Sequence, residues 1–165
     1  MKRFLTAIAL LGILGLPLYA QDAPKAELFG GYQFIHDSGI NLSGFNAAIE
    51  GNISKNVGIV GDLTYGRNDT FGEFNFLGGP RISYRTDKVR IFGEALLGLV
   101  RVGTPGQRDN GFGFAFGGGV DFALNEKISI RPVRFDFLEG HVKGEWGNQI
   151  LYSAGIVFKF GTKSK

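Results

Sequence analysis

The sequence predicts an all-β chain folded as an eight-stranded antiparallel up-and-down transmembrane β-barrel. Three observations carry that reading. Gly supplies 27 and Phe 16 of 165 residues, against 5 Pro and 1 Met, a usage that favours strands and tight turns over helices. Period-two alternation recurs along the chain, and no segment has a convincing 3.6-residue period. The two parities of that alternation also differ in kind. In the stretch GFGFAFGGGVDFALNEK, Phe112, Phe114, Phe116, Val120, Phe122 and Leu124 oppose Gly113, Ala115, Gly117, Gly119, Asp121 and Ala123. A strand built this way has one face of large apolar groups and one of almost nothing, with a carboxylate in it.

Residues 1–20 read as a secretory signal peptide and 21–165 as the barrel domain. Lys2 and Arg3 precede an apolar run from Phe4 to Leu16, Pro17 breaks it, and Leu18-Tyr19-Ala20 forms a cleavage site before Gln21. A helix over that run rises about 20 Å, short of the roughly 30 Å hydrocarbon core, so a membrane anchor fits less well. Cleavage removes Lys2 and Arg3 and takes the formal charge from +3 to +1, which gives no reason to expect a nucleic-acid partner. The absence of Cys excludes disulfides, a zinc thiolate site and a cysteine nucleophile. After the leader no apolar run approaches twenty residues, so insertion into a membrane has to be by strands.

In order, the predicted strands are Glu27–Ile35, Gly44–Ile53, Val57–Gly66, Phe74–Arg85, Val89–Val102, Phe112–Leu124, Ile128–Leu138 and Gln149–Phe160. In the second strand Phe45, Ala47, Ile49 and Ile53 oppose Asn46, Ala48, Glu50 and Asn52; in the third Val57, Ile59, Leu63 and Tyr65 oppose Gly58, Val60, Asp62 and Thr64. The fourth sets Phe74, Phe76, Pro80, Ile82 and Tyr84 against Asn75, Leu77, Arg81, Ser83 and Arg85, and the eighth sets Ile150, Tyr152, Ala154, Ile156, Phe158 and Phe160 against Gln149, Leu151, Ser153, Gly155, Val157 and Lys159. The seventh breaks strict parity: Ile128 and Ile130 share a face, and then Val133, Phe135 and Phe137 do. Pro132 cannot donate to a ladder, so a bulge near Arg131–Val133 restores the pattern. It keeps Arg131, Arg134 and Asp136 off the lipid face, where an Arg at the midplane costs about 2–4 kcal/mol. Ser54-Lys55-Asn56, Thr86-Asp87-Lys88 and Asn125-Glu126-Lys127 read as tight turns, whereas 36–43, 67–73, 103–111 and 139–148 read as longer loops at the opposite end.

The polarity of the faces decides between a soluble and a membrane barrel. A soluble sandwich or lipocalin-like barrel would turn the large set inward and present the second set to water. That second set is mostly Gly, Ala and Ser and lacks long solubilising side chains. Its charges are sparse and balanced: Glu50, Asp62, Glu94, Asp121 and Asp136 against Arg81, Arg131, Arg134 and Lys159, with Arg85 and Arg90 near the turns. Eight strands enclose a space just wide enough to be filled by side chains, so small residues and one compact ionic cluster suit a lumen. The apolar set then meets lipid, with Phe34, Phe45, Tyr65, Tyr84, Phe112, Phe122, Phe137 and Phe160 as interfacial girdles.

Together the leader, the eight alternating strands and the terminal aromatic strand resemble the OmpA- and OmpX-like small outer-membrane barrels of Gram-negative bacteria. Leu28–Tyr32 (LFGGY), Phe76–Arg85 (FLGGPRISYR), Gly117–Phe122 (GGGVDF), Ile128–Phe137 (ISIRPVRFDF) and Tyr152–Gly161 (YSAGIVFKFG) carry the likeness. It implies residence in the outer membrane as a monomer in contact with outer-membrane lipid. It also implies a C-terminal assembly signal, here Tyr152, Ile156, Phe158 and Phe160, read by the outer-membrane insertion machinery. Phe160 is followed by GTKSK, so the signal lies slightly inside the end, and the peptidoglycan-binding domain of longer members is not expected.

The charges Glu50, Asp62, Arg81, Glu94, Asp121, Arg131, Arg134, Asp136 and Lys159 are expected as a structural plug rather than an ion path, since a narrow barrel leaves little room for water. His36-Asp37-Ser38 has the His-x-Ser spacing of barrel lipid A deacylases, but two loop residues have no fixed mutual orientation, and His36 reads as a solvated histidine. Gly111-x-Gly113 and Gly117-Gly118-Gly119 lie inside an alternating strand with no helix after them, which fails the context a dinucleotide loop requires. Asn52-Ile53-Ser54 and Asn68-Asp69-Thr70 match the glycosylation pattern by chance in a bacterial chain. The expectation is a non-enzymatic envelope protein with no catalytic residue, cofactor or metal; a lipid A-modifying enzyme, a channel for small hydrophobic solutes and a soluble binding barrel are the other readings.

Overall fold

The computed structural model describes residues 23–161 apart from Ser38 and Pro105, and the signal-peptide segment lies outside the described residues. The strands are β1 (Ala26–Asp37), β2 (Ile40–Asn52), β3 (Val57–Arg67), β4 (Gly72–Arg85), β5 (Val89–Thr104), β6 (Gln107–Ala123), β7 (Ile128–Val142) and β8 (Glu145–Phe160). Each pairs antiparallel with the next, and β1 closes on β8 from Ala26↔Phe160 to His36↔Ile150. Closure leaves no sheet edge, so the ladders satisfy the backbone groups of every strand without water.

The faces divide as the alternation requires. Phe76, Ile82, Leu97 and Phe116 are 53–66 % exposed on the outside, whereas Arg81, Asp62 and Glu50 are 1–2 % exposed within. The predicted girdle residues Phe34, Phe45, Tyr65, Tyr84, Phe112, Phe122, Phe137 and Phe160 share the outward parity. One extra residue enters β7: Val120 pairs with Val133 but Phe122 with Ile130, and the β7–β8 register shifts between Arg131 and Arg134. This bulge lies where Pro132 denies the ladder a donor, and the Tyr152 hydroxyl donates to the Pro132 carbonyl at 2.9 Å. Small inward residues make room for large ones: a Cβ on Gly119 would stand 2.8 Å from Cζ of Phe92.

The long loops expected at one end are not there. Asp37 pairs with Ile40, Thr104 with Gln107 and Val142 with Glu145, so three of the four hairpins close through two residues. Lys143 and Gly144 have φ of 54° and 87°, the paired positive values of a type I′ hairpin turn. In the fourth hairpin the Asn68 side-chain oxygen accepts from the amides of Thr70 and Phe71 at 2.9 and 2.7 Å, an Asx turn. Gly, Asn and charged residues read as loop by propensity, but pairing with a neighbouring strand overrides propensity. As a result β5, β6, β7 and β8 run 15–17 residues, beyond the ~9–11 that cross hydrocarbon. His36, expected in a loop, is instead an outward strand residue whose Nδ1 lies 2.7 Å from the Asn41 side-chain oxygen.

Candidate functional site

The lumen holds the predicted charges, and its contents differ between its two halves. Toward the turns, inward parity brings Glu27 (β1), Glu50 (β2), Arg81 and Arg85 (β4), Arg90 and Glu94 (β5), Asp121 (β6) and Arg131 (β7) into one space. Arg81 bridges Glu50 at 2.7 Å and Glu94 at 2.5 Å. Arg90 donates to Glu27 at 2.7 Å and Glu50 at 2.5 Å, and Arg131 donates to both Asp121 oxygens at 2.6 and 3.0 Å. Near mid-height Arg134 donates through Nη1 to Asp62 at 2.5 Å, while its Nε makes charge contacts with Glu94 and Asp136, each at 2.7 Å. The Asp62 carboxylate also accepts from Asn46 at 2.9 Å and Thr64 at 3.1 Å.

Lys159 departs from the expected cluster. It sits on the inward parity at the mouth, only partly buried, and its Nζ donates to the Asn125 carbonyl at 2.9 Å. Its position next to the last turn lets it reach the backbone there sooner than a lumen carboxylate. Arg90 and Arg85, expected merely near the turns, are members of the network, as is Glu27. Two aromatic residues also lie inside. Phe92 carries the guanidinium carbons of Arg81, Arg131 and Arg90 at 4.2, 4.5 and 5.2 Å from its ring centroid, and Phe29 carries Arg131 at 4.6 Å. Guanidinium groups stacked on rings fill volume and gain cation–π attraction in a dry space. Parity flags both rings, since Phe92 lies between Arg90 and Glu94 and Phe29 lies two residues from Glu27.

Toward the other end the lumen is apolar. Ile35, Leu42, Leu77, Leu96, Leu138 and Leu151 pack together at 5 % exposure or less, with Val100 and Ala115 among them. Above this layer the Glu73 carboxylate accepts from the amide nitrogens of Asn75 at 2.6 Å and Gln149 at 2.8 Å. At the turn end a vestibule of about 490 Å³ reaches in as far as Glu27, Arg90, Asp121 and Ser129, while Phe92, Glu94 and Asp62 lie deeper and do not line it.

The arrangement can fill and lock a lumen. Among the described residues no group of three or more His, Asp or Glu could hold a metal ion. His36 and Asn41 lie on the outer surface, the partner Ser38 of the His-x-Ser spacing lies outside the described residues, and His141 packs on Trp146 with ring centroids 4.8 Å apart. The glycine-rich segment lies within β6.

No family model and no curated protein matches the sequence. Solved structures do match the fold. Neisserial surface protein A is similar over 82 % of this chain and 96 % of its own, with 17 % identity and a TM-score of 0.59. The N-terminal β-barrel domain of Pseudomonas aeruginosa OprF is similar over 84 % of this chain and 100 % of its own, with 9 % identity and a TM-score of 0.59. The fold is that of the small eight-stranded outer-membrane β-barrels. The attachment invasion locus protein Ail of Yersinia pestis shares this architecture, with 17 % identity, a TM-score of 0.50, and coverage of 82 % of this chain and 99 % of that one. In membrane-spanning barrels of this architecture an apolar exterior meets lipid and side chains fill the lumen.

Proposed function

We propose that this chain is an integral outer-membrane protein, exported through its leader, whose barrel is closed, non-conducting and non-enzymatic. The observation that supports this is the double filling of the lumen, a guanidinium–carboxylate network below and an apolar layer above. Either layer alone obstructs water in so narrow a barrel. Its work is then done on its outside, as a wall element of the envelope and through the overhanging β5–β6 and β7–β8 hairpins. Ail of Yersinia pestis has a solved complex with the heparin analogue sucrose octasulfate, and contact with molecules outside the cell is the corresponding role for these hairpins.

The reading includes a monomer embedded in outer-membrane lipid and delivered by the outer-membrane insertion machinery. Tyr152, Ile156, Phe158 and Phe160, all outward on β8, would be the residues read by that machinery. The test combines membrane fractionation, heat-modifiable migration on a denaturing gel and planar-bilayer recording of the purified chain. The expected result is an outer-membrane band that shifts on boiling and gives no stepwise conductance. Regular conductance steps would replace this reading with the channel. A lipid A mass change abolished by His36→Ala would replace it with the enzyme.

A further inference from the structure

On the outer surface at the end away from the termini, one row of register partners runs Arg67, Gly72, Gly103, Arg108 across β3, β4, β5 and β6. All four share the outward parity, and both arginines are exposed. Adjacent strands lie about 4.8 Å apart, so the two arginines start roughly 14 Å apart with a floor of two glycines between them. A Cβ on Gly72 would meet nothing within 4 Å, whereas one on Gly103 would stand 3.1 Å from Cγ of Arg108, so the Arg108 stem leans in over the floor. In the next row down, Arg101 stands between Phe74 and Asn110, its Nε donating to the Asn110 side-chain oxygen at 2.6 Å. The three arginines line one depression of about 370 Å³ together with Tyr65, Phe71 and Phe74.

Among the described residues no ion pair neutralises this cluster: none of the three arginines forms one, while Lys143 on the neighbouring hairpin holds Asp109 at 2.9 Å. Asp69 also borders the depression, and the Glu73 carboxylate is turned away from it toward Asn75 and Gln149. Immediately below Arg101 the outward row is Leu63, Phe76, Leu99 and Phe112. The hydrocarbon-facing stripe therefore begins where the arginines end. A lipid-facing Arg costs about 2–4 kcal/mol at the midplane and ~0–1 near the interface, which sets this cluster at headgroup height.

We propose that the depression binds the phosphate of a membrane lipid headgroup, with the acyl chains lying along Phe74, Phe76 and Leu99. A planar guanidinium donates two parallel hydrogen bonds to phosphate oxygens, and arginines converging from two sides match the spread of negative charge on that group. The continuous apolar face beneath the site selects a lipid over a free anion. The inference rests on the membrane-spanning reading of the outer face.

The test uses the full chain refolded in maltoside micelles. It is titrated with diphosphoryl lipid A, with the dephosphorylated lipid, and with inorganic phosphate alone, and bound lipid is counted by native mass spectrometry. The diphosphoryl form is expected to be retained at least tenfold more tightly than the dephosphorylated one, with inorganic phosphate at equal concentration displacing neither. Combining Arg67→Gln, Arg101→Gln and Arg108→Gln should cut retention at least tenfold, and the corresponding Lys variants should restore much of it. Equal retention of both lipids, or no effect of the Gln variants, overturns the proposal, and displacement by phosphate alone overturns the assignment to lipid. Heat-modifiable migration of each variant reports the barrel separately, so a lost site is told apart from a lost fold. A wild-type band that does not shift on boiling overturns the membrane reading and this proposal with it.

Discussion

Arg134 on β7 reaches across the lumen to Asp62 on β3, Nη1 to Oδ2 at 2.5 Å, joining strands that are not neighbours in the sheet. Closing a barrel through the ladders fixes each strand to two partners only. A bond across the lumen adds a constraint the ladders lack.

The two ends of that bond are unequal. Asp62→Asn leaves Arg134 its contacts with Glu94 and Asp136, so the cost should be about 2–3 kcal/mol, below the ~3–5 of a fully abandoned buried charge. Arg134→Met abandons Asp62 and Asp136 together, while Glu94 keeps Arg81, and should cost ~3–5 kcal/mol or more. Urea unfolding in lipid vesicles measures both. Equal losses would mean that the network shares its charge more evenly than these distances imply.

Phe92 holds three guanidinium groups in place. Phe92→Leu keeps most of the volume but removes the ring face on which Arg81, Arg131 and Arg90 stack. Cation–π contacts are worth from ~0.5 kcal/mol when exposed to ~2 when desolvated, and three guanidinium groups share one ring, so the loss should be about 2–4 kcal/mol. Phe76→Leu, on the lipid face, serves as the control and should cost under 1 kcal/mol, because lipid closes around either side chain. The same unfolding measurement separates the two.

How far these features were legible depends on what each leaves in the sequence. Polarity was legible because Phe112, Phe114 and Phe116 alternate with Gly113, Ala115 and Gly117, and a one-residue slip would exchange the faces. The bulge was legible because Pro132 marks the place where parity changes. Strand ends were not, since Gly103-Thr104 and Gln107-Arg108-Asp109-Asn110 carry loop composition, and only their pairing across the hairpin and with Arg101-Val102 makes them strand. Parity puts Leu77 and Leu151 inward, but nothing in the composition shows that they join Leu96 in one apolar layer, or that Phe29 and Phe92 lie among the charges; those are contacts between strands distant in the chain. Lys159 shows the converse: parity gives a side chain's direction, but the partner it finds depends on the nearest oxygen.

Gly119 tests how tightly the lumen is packed. A Cβ there would lie 2.8 Å from Phe92 Cζ and 2.6 Å from the Val133 carbonyl oxygen, so Gly119→Ala should destabilise by about 1–3 kcal/mol. Adding Phe92→Leu relieves the first clash but not the second. The double variant should therefore be more stable than the sum of the single losses predicts, by roughly 0.5–1 kcal/mol in a double-mutant cycle. Strict additivity would mean that the Val133 backbone contact alone carries the cost.

Deleting Pro132 tests whether the bulge matters for more than the direction of the arginines. The extra residue lets Ile130 face out while Arg131 and Arg134 both face in. Without it, Val133 stays opposite Val120 and Ile130 opposite Phe122, and Arg131 falls between them opposite Asp121 in an unbroken ladder. On the other side Arg131 keeps Gly155 and Arg134 keeps Ser153. Every side chain of β7 therefore keeps its face, and Arg131 keeps both Asp121 oxygens within reach. What is lost is the Pro132 carbonyl that accepts from Tyr152, worth about 0.5–1.5 kcal/mol. The deletion variant should thus still give a heat-modifiable band after refolding, with a loss of about 1–2 kcal/mol in urea unfolding. A deletion variant that fails to fold would mean that the bulge itself, through the local bend and twist it gives β7, is required to close the barrel.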